Sequence, residues 1–452
     1  MTNISDQQQR DLSLQRFLNK QNTFITGGGG VGKSKHIELL CNQTPNRKIV
    51  ILASTGVAAV NISSSFPSMT IHSFFEISPS LAGAYDEMTA FFPDQRYVDK
   101  IVPYETIIID EASLVTANLL SCINRRLQIV MNNSLPFGGK HILLVGDPFQ
   151  LEAILPRQEK NEDGRLLDEE PLQFFFQSPS WQRADFQTIE LTHVFRQDNQ
   201  VLINLLNKVR KGFLPEGKKD VIKQIHHFIS EINEVLKSCI NRFSETDPTV
   251  TYLALRREQV NKINQAFYDQ LDEEEHVITG SLLGRGYQLG EFPVSYFLKL
   301  KKGLRVMTVA NNFPHYYNGQ LGHIHDITPQ GNVFVKFDNG NLQHIKAKEW
   351  KRDEYCATEQ SYYSKSQFDS CLKQLPIVPA YSYTVHKSQG LTLEKLHINL
   401  DGRPFAAGQL YVALSRCKSL EGLSISRELH LGDFMTNTNV HKFYSQACSK
   451  TA

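Results

Sequence analysis

The sequence predicts an α/β protein with two doubly wound parallel-sheet regions, the second interrupted by a small antiparallel β insert. Three observations carry this. Short apolar runs recur at Asn22–Thr26, Lys48–Ala53, Thr106–Ile109 and His141–Val145, separated by helix-length segments, which is the alternation of βαβ units. A second alternation begins near residue 188 with TIELTHVFRQ, an amphipathic stretch Leu202–Val209 and TYLALR at 251–256, and resumes with PAYSYTVHKS and LHINL. Between them, 280–372 changes texture: short alternating runs are divided by Asn318-Gly319, Gly331-Asn332 and Asn339-Gly340, turn pairs typical of hairpins, here read as a compact barrel.

The first element ends on chemistry. Phe24-Ile25 reads as a buried strand that runs into Gly27, Gly28, Gly29, Gly30, Val31, Gly32, Lys33 and Ser34. Glycines there let the backbone wrap a phosphate chain with its N–H groups turned inward. Lys33 supplies a point charge for the β- and γ-phosphates, and Ser34 a hydroxyl for Mg²⁺. The helix through Ile37, Leu39 and Leu40 aims its positive end at the same anion. A flexible glycine-rich turn is the plain alternative, and a second signal argues against it. Ile107-Ile108-Ile109 suits a strand buried on both faces, and it closes on Asp110-Glu111, where α/β sheets bind ligands. Asp110 would hold Mg²⁺, and Glu111 would orient or deprotonate an attacking water. Together these segments point to nucleoside-triphosphate hydrolysis. Residues 73–103, rich in Phe, Tyr and Pro, interrupt the alternation and read as an inserted subdomain or hairpin.

Composition sets the outer bounds. A chain of 452 residues exceeds one core and predicts two to four domains. Lys plus Arg number 48 against 47 Asp plus Glu, so any nucleic-acid contact is a local groove rather than a global basic field. No apolar run approaches the ~18 residues of a membrane span, and the polar N-terminus lacks a signal-peptide pattern. Seven scattered cysteines without a C-x-x-C pair fit a reducing cytoplasm and argue against zinc. The absence of NKxD weighs against a guanine-specific GTPase.

The ordered segments FITGGGGVGKS, ASTGVAAV, TIHSFF, IIIDEASLV, PFGGKHILLVGDPFQLEAI, ELTHVFRQDNQ, KGLRVMTVANN with YYNGQLG, YSYTVHKSQGLTL and GQLYVALSRCKSLEGL resemble superfamily 1B helicases, most closely the PIF-type DNA helicases. PFGG ahead of GDPFQ looks like the signature that separates PIF-type proteins from other members. Two departures stand out: Glu152-Ala153 replaces the usual two prolines, and the phosphate loop has a run of four glycines where the family often has Ser-Ala.

The resemblance implies two RecA-like domains. The first is 1–185 with the insert at about 73–103. The second is 186–279 with 373–452, and 280–372 is the barrel. It implies ATP and Mg²⁺ as cofactors, Gln150 as a nucleotide sensor, and Arg196 and Arg416 as arginine fingers, since a planar guanidinium fits the charge of a transferring phosphoryl group. Gly390 would offer a backbone N–H near the γ-phosphate. A glutamine shortly before the phosphate loop reads adenine; Gln8 is preferred, with Gln9 the alternative. Thr55, Gly56, Thr70 and His72 match segments that touch single-stranded DNA in the first domain, and Thr384, His386 and Lys387 those in the second. Such groups suit phosphate contacts and carry no sequence information. Phe74 or Phe75 would stack a base or build a strand-separating wedge, against the alternative of core packing.

The expected function is therefore ATP-dependent 5′→3′ translocation on single-stranded DNA and unwinding of tailed or forked duplexes, by a monomer. The expected setting is the cytoplasm of a bacterium or a phage-infected cell. An RNA helicase or remodeller of superfamily 1B and a non-enzymatic ATP-binding scaffold are the rival classes.

Overall fold

The computed structural model describes residues 5–54, 66–77, 91–153, 173–197, 199–215, 217, 219–244, 246–284, 292–312, 314–354 and 367–449. Residues 1–243 and 385–452 form one compact unit, and residues 244–384 a second.

The first unit is built on six strands: β1 Thr23–Gly27, β2 Ile49–Ala53, β3 Ser68–Thr70, β4 Thr106–Asp110, β5 His141–Val145 and β6 Gln187–Leu191. They lie in the order β3-β2-β4-β5-β1-β6, and every pairing is parallel. Strands β1, β2, β4 and β5 are buried along their whole length, as continuous apolar runs require. Alternate side chains enter two cores. Ile107 and Ile109 join Phe24, Val50 and Leu144 on one face, while Ile108 joins Ile25, Ile51 and Val145 on the other. The helix Ala117–Val130 covers the first face through Leu120, Ile123 and Leu127. The helices Asp6–Leu18 and Lys33–Asn42 cover the second through Phe17, Ile37 and Leu40. Each fully buried side chain of this size contributes ~1.5–3 kcal/mol.

Two expectations shift. Gln187–Leu191, assigned from the sequence to the second domain, pairs with β1 from Thr23↔Gln187 to Gly27↔Leu191. It completes the first sheet because the β1 edge would otherwise leave a row of unpaired backbone groups, and it buries Ile189 and Leu191 completely. The stretches 186–243 and 385–452 accordingly share a compact unit with the phosphate loop. The segment 73–103 is described at 73–77 and 91–103. There it supplies the end of the helix Ile71–Phe75 and the helix Gln95–Ile101. Ile77, Tyr97 and Ile101 pack into the first core, and residues 78–90 lie outside the described residues.

The helix Thr438–Ser449 docks on the same sheet. Val440 enters the first core. Phe443 stacks on Phe176 with ring centroids 4.1 Å apart and planes 2° from parallel, and it also meets Phe24, Phe175 and Trp181. Strands β19 Leu396–Asn399 and β20 Leu423–Ile425 pair in parallel within this unit.

In the second unit, β7 Thr251–Ala254 pairs in parallel with β18 Ser382–Thr384. The rest is antiparallel. It comprises β8 His276–Thr279, β9 Ser281–Gly284, β10 Phe297–Leu300, β11 Arg305–Thr308, β12 Leu321–Ile327, β13 Val333–Phe337, β14 Leu342–Ile345, β15 Lys348–Glu354, β16 Gln367–Gln374 and β17 Ile377–Pro379. These strands form the ladders β10-β8, β14-β13-β12-β11-β17 and β15-β16-β9. The expected turn at Asn339-Gly340 joins β13 to β14, with Gly340 at φ 88°. The antiparallel region reaches from 276 to 379, beyond the expected 280–372, and among the described residues its strands form three ladders rather than one closed sheet.

Candidate nucleotide site

All the phosphate-handling residues singled out in the sequence fall in the first unit. β1 delivers Gly27 at the C-terminal edge of the sheet, and the loop turns into the helix Lys33–Asn42. The N-cap of that helix is Gly32 at φ 77°, with no side chain capping it. Its first-turn N–H groups are left for an anion. Gly30 has φ 84°, and a Cβ there would stand 2.7 Å from Arg196 Cβ, so only glycine permits the approach. Its carbonyl accepts N–H bonds from Phe195 (2.8 Å) and Arg196 (3.3 Å), which seats the VFRQ segment on the phosphate loop. Lys33 Nζ donates to the carbonyls of Gly27 (2.8 Å) and Gly28 (3.0 Å). Burial lowers its pKa, opposed by Asp147, Glu111 and Asp110. Ser34 is exposed in the first helical turn.

Across the sheet edge, β4 ends in Asp110, whose Oδ1 accepts the Glu111 N–H at 2.9 Å. Burial, with Glu111 beside it, pushes the Asp110 carboxyl up to about 7, while that N–H and Lys33 work the other way. Glu111 is held at φ 52°, a strained backbone of the kind stored at functional sites. After β5, Gln150 is buried and its Oε1 has no hydrogen-bond partner among the described residues.

The two arginines converge. Arg196 Nη1 donates to the Ser415 carbonyl at 3.2 Å. Arg416 donates from Nη2 to Ser415 Oγ (2.8 Å) and from Nε to the Val412 carbonyl (3.0 Å). Its Nη1 holds Ser388 and Leu391 carbonyls, each at 3.4 Å, which fixes the turn carrying Gly390 at φ 81°. Burial and then Arg196 bring the Arg416 pKa down to about 10, with Glu111 opposing. Burial lowers the Arg196 pKa as well, and two guanidinium groups held this close favour a highly charged anion beside them.

Other assignments meet different surroundings. Gln8 is exposed and caps its own helix: its Oε1 accepts the Ser5 N–H at 2.8 Å while Ser5 Oγ accepts the Gln8 N–H at 3.3 Å. Gln9 Oε1 is buried without a partner. Phe74 is a correction. It is fully buried, edge-on to Phe75 (4.9 Å) and Tyr104 (5.7 Å), as is Phe75. A ring sealed in the core cannot stack a base. His72 is half-buried with its pKa lowered by burial, and Thr70 caps the helix Ile71–Phe75 by accepting the Ser73 N–H at 3.2 Å. Thr55 and Gly56 lie outside the described residues. Thr384 ends β18 in the second unit, whereas His386 and Lys387 sit in the turn Val385–Ser388 of the first. Lys387 is exposed, and the His386 ring faces Phe405 at 6.0 Å.

Four residues escaped the sequence reading. Asp147 is fully buried and paired with Arg210, Nη2 to Oδ1 at 2.9 Å, and accepts from Tyr411 Oη at 3.0 Å. Phe195 is 60% exposed at the mouth of the loop, with the Arg10 guanidinium 5.2 Å from its ring. Asp147, Phe195 and Tyr411 lie inside quoted motifs, so their position was visible although their roles were not. Arg210, on an amphipathic helix, gave no signal.

Fold and site together define a P-loop α/β protein with two arginines from distant segments meeting at Ser415, beside its phosphate loop. A family profile described as PIF1-like helicase matches residues 7–220. The ATP-dependent DNA helicase Pif1 of Campylobacter jejuni is 31% identical over 468 residues, covering 96% of each chain. The human ATP-dependent DNA helicase PIF1 is 30% identical across 91% of this chain, which spans 59% of the human protein's length. Among solved structures, Bacteroides Pif1 bound to single-stranded DNA superposes with a TM-score of 0.81 at 27% identity, covering 99% of this chain and 98% of that one. Pif1 from Bacteroides with ADP-AlF3 and single-stranded DNA gives 0.79 at 28% identity, covering 97% of each chain. This chain belongs to the PIF1-like helicase family.

Proposed function

We propose that this protein is an ATP-dependent DNA helicase that moves 5′→3′ along single-stranded DNA and unwinds tailed or forked duplexes. The observation that carries the reading is the convergence of Arg196 and Arg416 on Ser415 beside Lys33, Asp110 and Glu111. A phosphate-binding scaffold without hydrolysis needs no such pair. The residues fit Mg²⁺ and ATP: the helix that opens at Gly32 has no side-chain cap and begins with Lys33, which suits a phosphate chain, and Gln150 Oε1 is a buried orphan. Ser34 and Asp110 would hold Mg²⁺, which when bound neutralises charge on the transferred phosphoryl group. Glu111 takes the proton of the attacking water, Gln150 orients it, and the two arginines stabilise the developing charge. Gln9, rather than Gln8, is the glutamine available to adenine, and Phe195 with Arg10 offers it a stacking face.

ATP favours arrangements that bring both arginines to the γ-phosphate; hydrolysis removes that differential contact. Coupling to DNA runs through Thr55, Gly56 and His72, and through Thr384, His386 and Lys387. Polarity and action as a monomer follow the family resemblance, as does a strand-separating wedge near 73–103. The test is ATPase rate with and without single-stranded DNA, alongside unwinding of 5′-tailed and 3′-tailed duplexes. DNA stimulation and unwinding of the 5′-tailed form alone are expected. Stimulation only by RNA would transfer the chain to the RNA-remodelling class, and turnover unchanged in Lys33→Ala would refute the site.

A further inference from the structure

A tyrosine outside the set used above reaches the phosphate loop. Tyr411, on the helix Gln409–Leu414, places its Oη 2.6 Å from the Gly29 backbone nitrogen and 3.0 Å from Asp147 Oδ2. The direction of both bonds is fixed by chemistry. A backbone N–H can only donate and a carboxylate can only accept, so the phenol proton points at Asp147 and an oxygen lone pair at Gly29. Asp147 is in turn clamped by Arg210, whose Nε and Nη2 lie 2.9–3.1 Å from its oxygens. Arg210 Nη2 continues to Tyr444 Oη at 3.2 Å, and Tyr444 donates to Glu190. The hydroxyl is therefore held in a hydrogen-bonded chain that runs from buried Asp147 and Arg210 to half-buried Tyr444 and Glu190.

The loop lies close against this helix and the turn after it. A Cβ on Gly29 would stand 3.2 Å from Ser415 Cβ and 3.5 Å from Tyr411 Oη, and one on Gly28 would stand 3.4 Å from that Oη.

We propose that Tyr411 is a positioning residue that latches the phosphate loop, its hydroxyl holding a Gly29 N–H otherwise open to a nucleotide phosphate. A phosphate oxygen at that N–H faces the lone pair of Oη and repels it, so the phosphate and the latch exclude one another. Tyr411 lies on the helix Gln409–Leu414, which leads through Ser415 to Arg416, so the latch ties loop occupancy to the finger. The latch deepens the ATP-site reading and rests on it.

The test is nucleotide binding by the full chain, measured by calorimetry with ADP and with adenosine. A latch that occludes the loop most of the time lowers apparent affinity by the open fraction. Tyr411→Phe, which keeps the ring and removes the hydroxyl, should bind ADP about five-fold more tightly while leaving adenosine affinity unchanged. Gly29→Ala keeps the N–H but presses its Cβ against Ser415 Cβ at 3.2 Å, just past the helix that carries Tyr411, so it should shift ADP in the same direction, and it serves if Tyr411→Phe does not fold. ADP affinity equal to or weaker than wild type in the folded variants overturns the latch. Equal tightening of ADP and adenosine also overturns it, since that would be a general change of the site. A wild-type chain that binds no ADP would instead refute the ATP-site reading itself.

Discussion

On β5, His141 is enclosed with its ring edge-on to Phe17 at 5.4 Å, its Nε2 3.1 Å from the Gln21 carbonyl and its Nδ1 3.1 Å from Thr106 Oγ1. The carbonyl can only accept, so Nε2 carries the proton and Nδ1 accepts from threonine. Burial, helped by Arg47, pushes the His141 pKa down to about 4. The fold thus prefers the neutral ring. Stability from this group is complete above the unfolded pKa, near 6.5, and is lost as pH falls from there towards about 4. In urea melts at pH 7 and pH 4.5, wild type should lose about 2 kcal/mol more than His141→Gln. Equal losses would place the acid sensitivity elsewhere. Phe74 gives the matching test of an apolar residue. Phe74→Ala should cost about 3–5 kcal/mol of stability and leave DNA affinity of the folded fraction unchanged. A selective loss of DNA binding without destabilisation would restore the stacking role. The sequence could not separate these roles, because an aromatic pair in TIHSFF has the same spelling on a core-facing helix as on a DNA track.

At the scale of elements, the PFGG turn shows what a signature motif does physically. Phe137 is fully buried at φ 53° and its N–H donates to Asn124 Oδ1 at 2.7 Å, while Gly138 takes φ 61°. A Cβ on Gly138 would meet the Leu127 carbonyl oxygen at 2.5 Å. The turn is a docking piece for the helix Ala117–Val130 and sets where β5, and hence Asp147 and Gln150, begins. Gly138→Ala should therefore cost at least about 2 kcal/mol in thermal or urea melts. An unperturbed melting curve would show that the turn can move without loss. Elements of this kind were legible where one local rule dominates. The apolar runs gave β1, β2, β4 and β5 to within a residue or so, and the glycine run gave the loop. β6 was legible only as the start of a second α/β alternation and not as part of the first sheet, since strand partnership is a long-range choice that an edge strand's own residues do not encode. The ladder from Gly29 through Tyr411 to Arg210 was likewise hidden: a buried arginine on an amphipathic helix reads as one more polar position.

Over the whole molecule, the site is assembled from segments far apart in the chain. Lys33, Asp110, Gln150, Arg196 and Arg416 fall in one compact unit, although residues 244–384 form another. The C-terminal stretch adds more than the finger. Val440 enters the core of the first sheet, Phe443 stacks on Phe176, and Tyr444 closes the chain to Arg210 and Glu190. Long-range closure of this type is slow and all-or-none, because the loop entropy is spent before the contacts form. A fragment of residues 1–243 carries the phosphate loop and all six strands of the first sheet, yet it lacks the helix that covers Phe24, Phe175 and Trp181. It should bind a hydrophobic dye, melt without a sharp transition and bind ADP at least about ten-fold more weakly than the full chain, a deficit of about 1.4 kcal/mol. Supplying 385–452 as a separate chain should restore the cooperative melt. If 1–243 instead melts cooperatively and binds ADP as the full chain does, the P-loop sheet is self-sufficient, and the C-terminal helix contributes surface packing rather than completing the core.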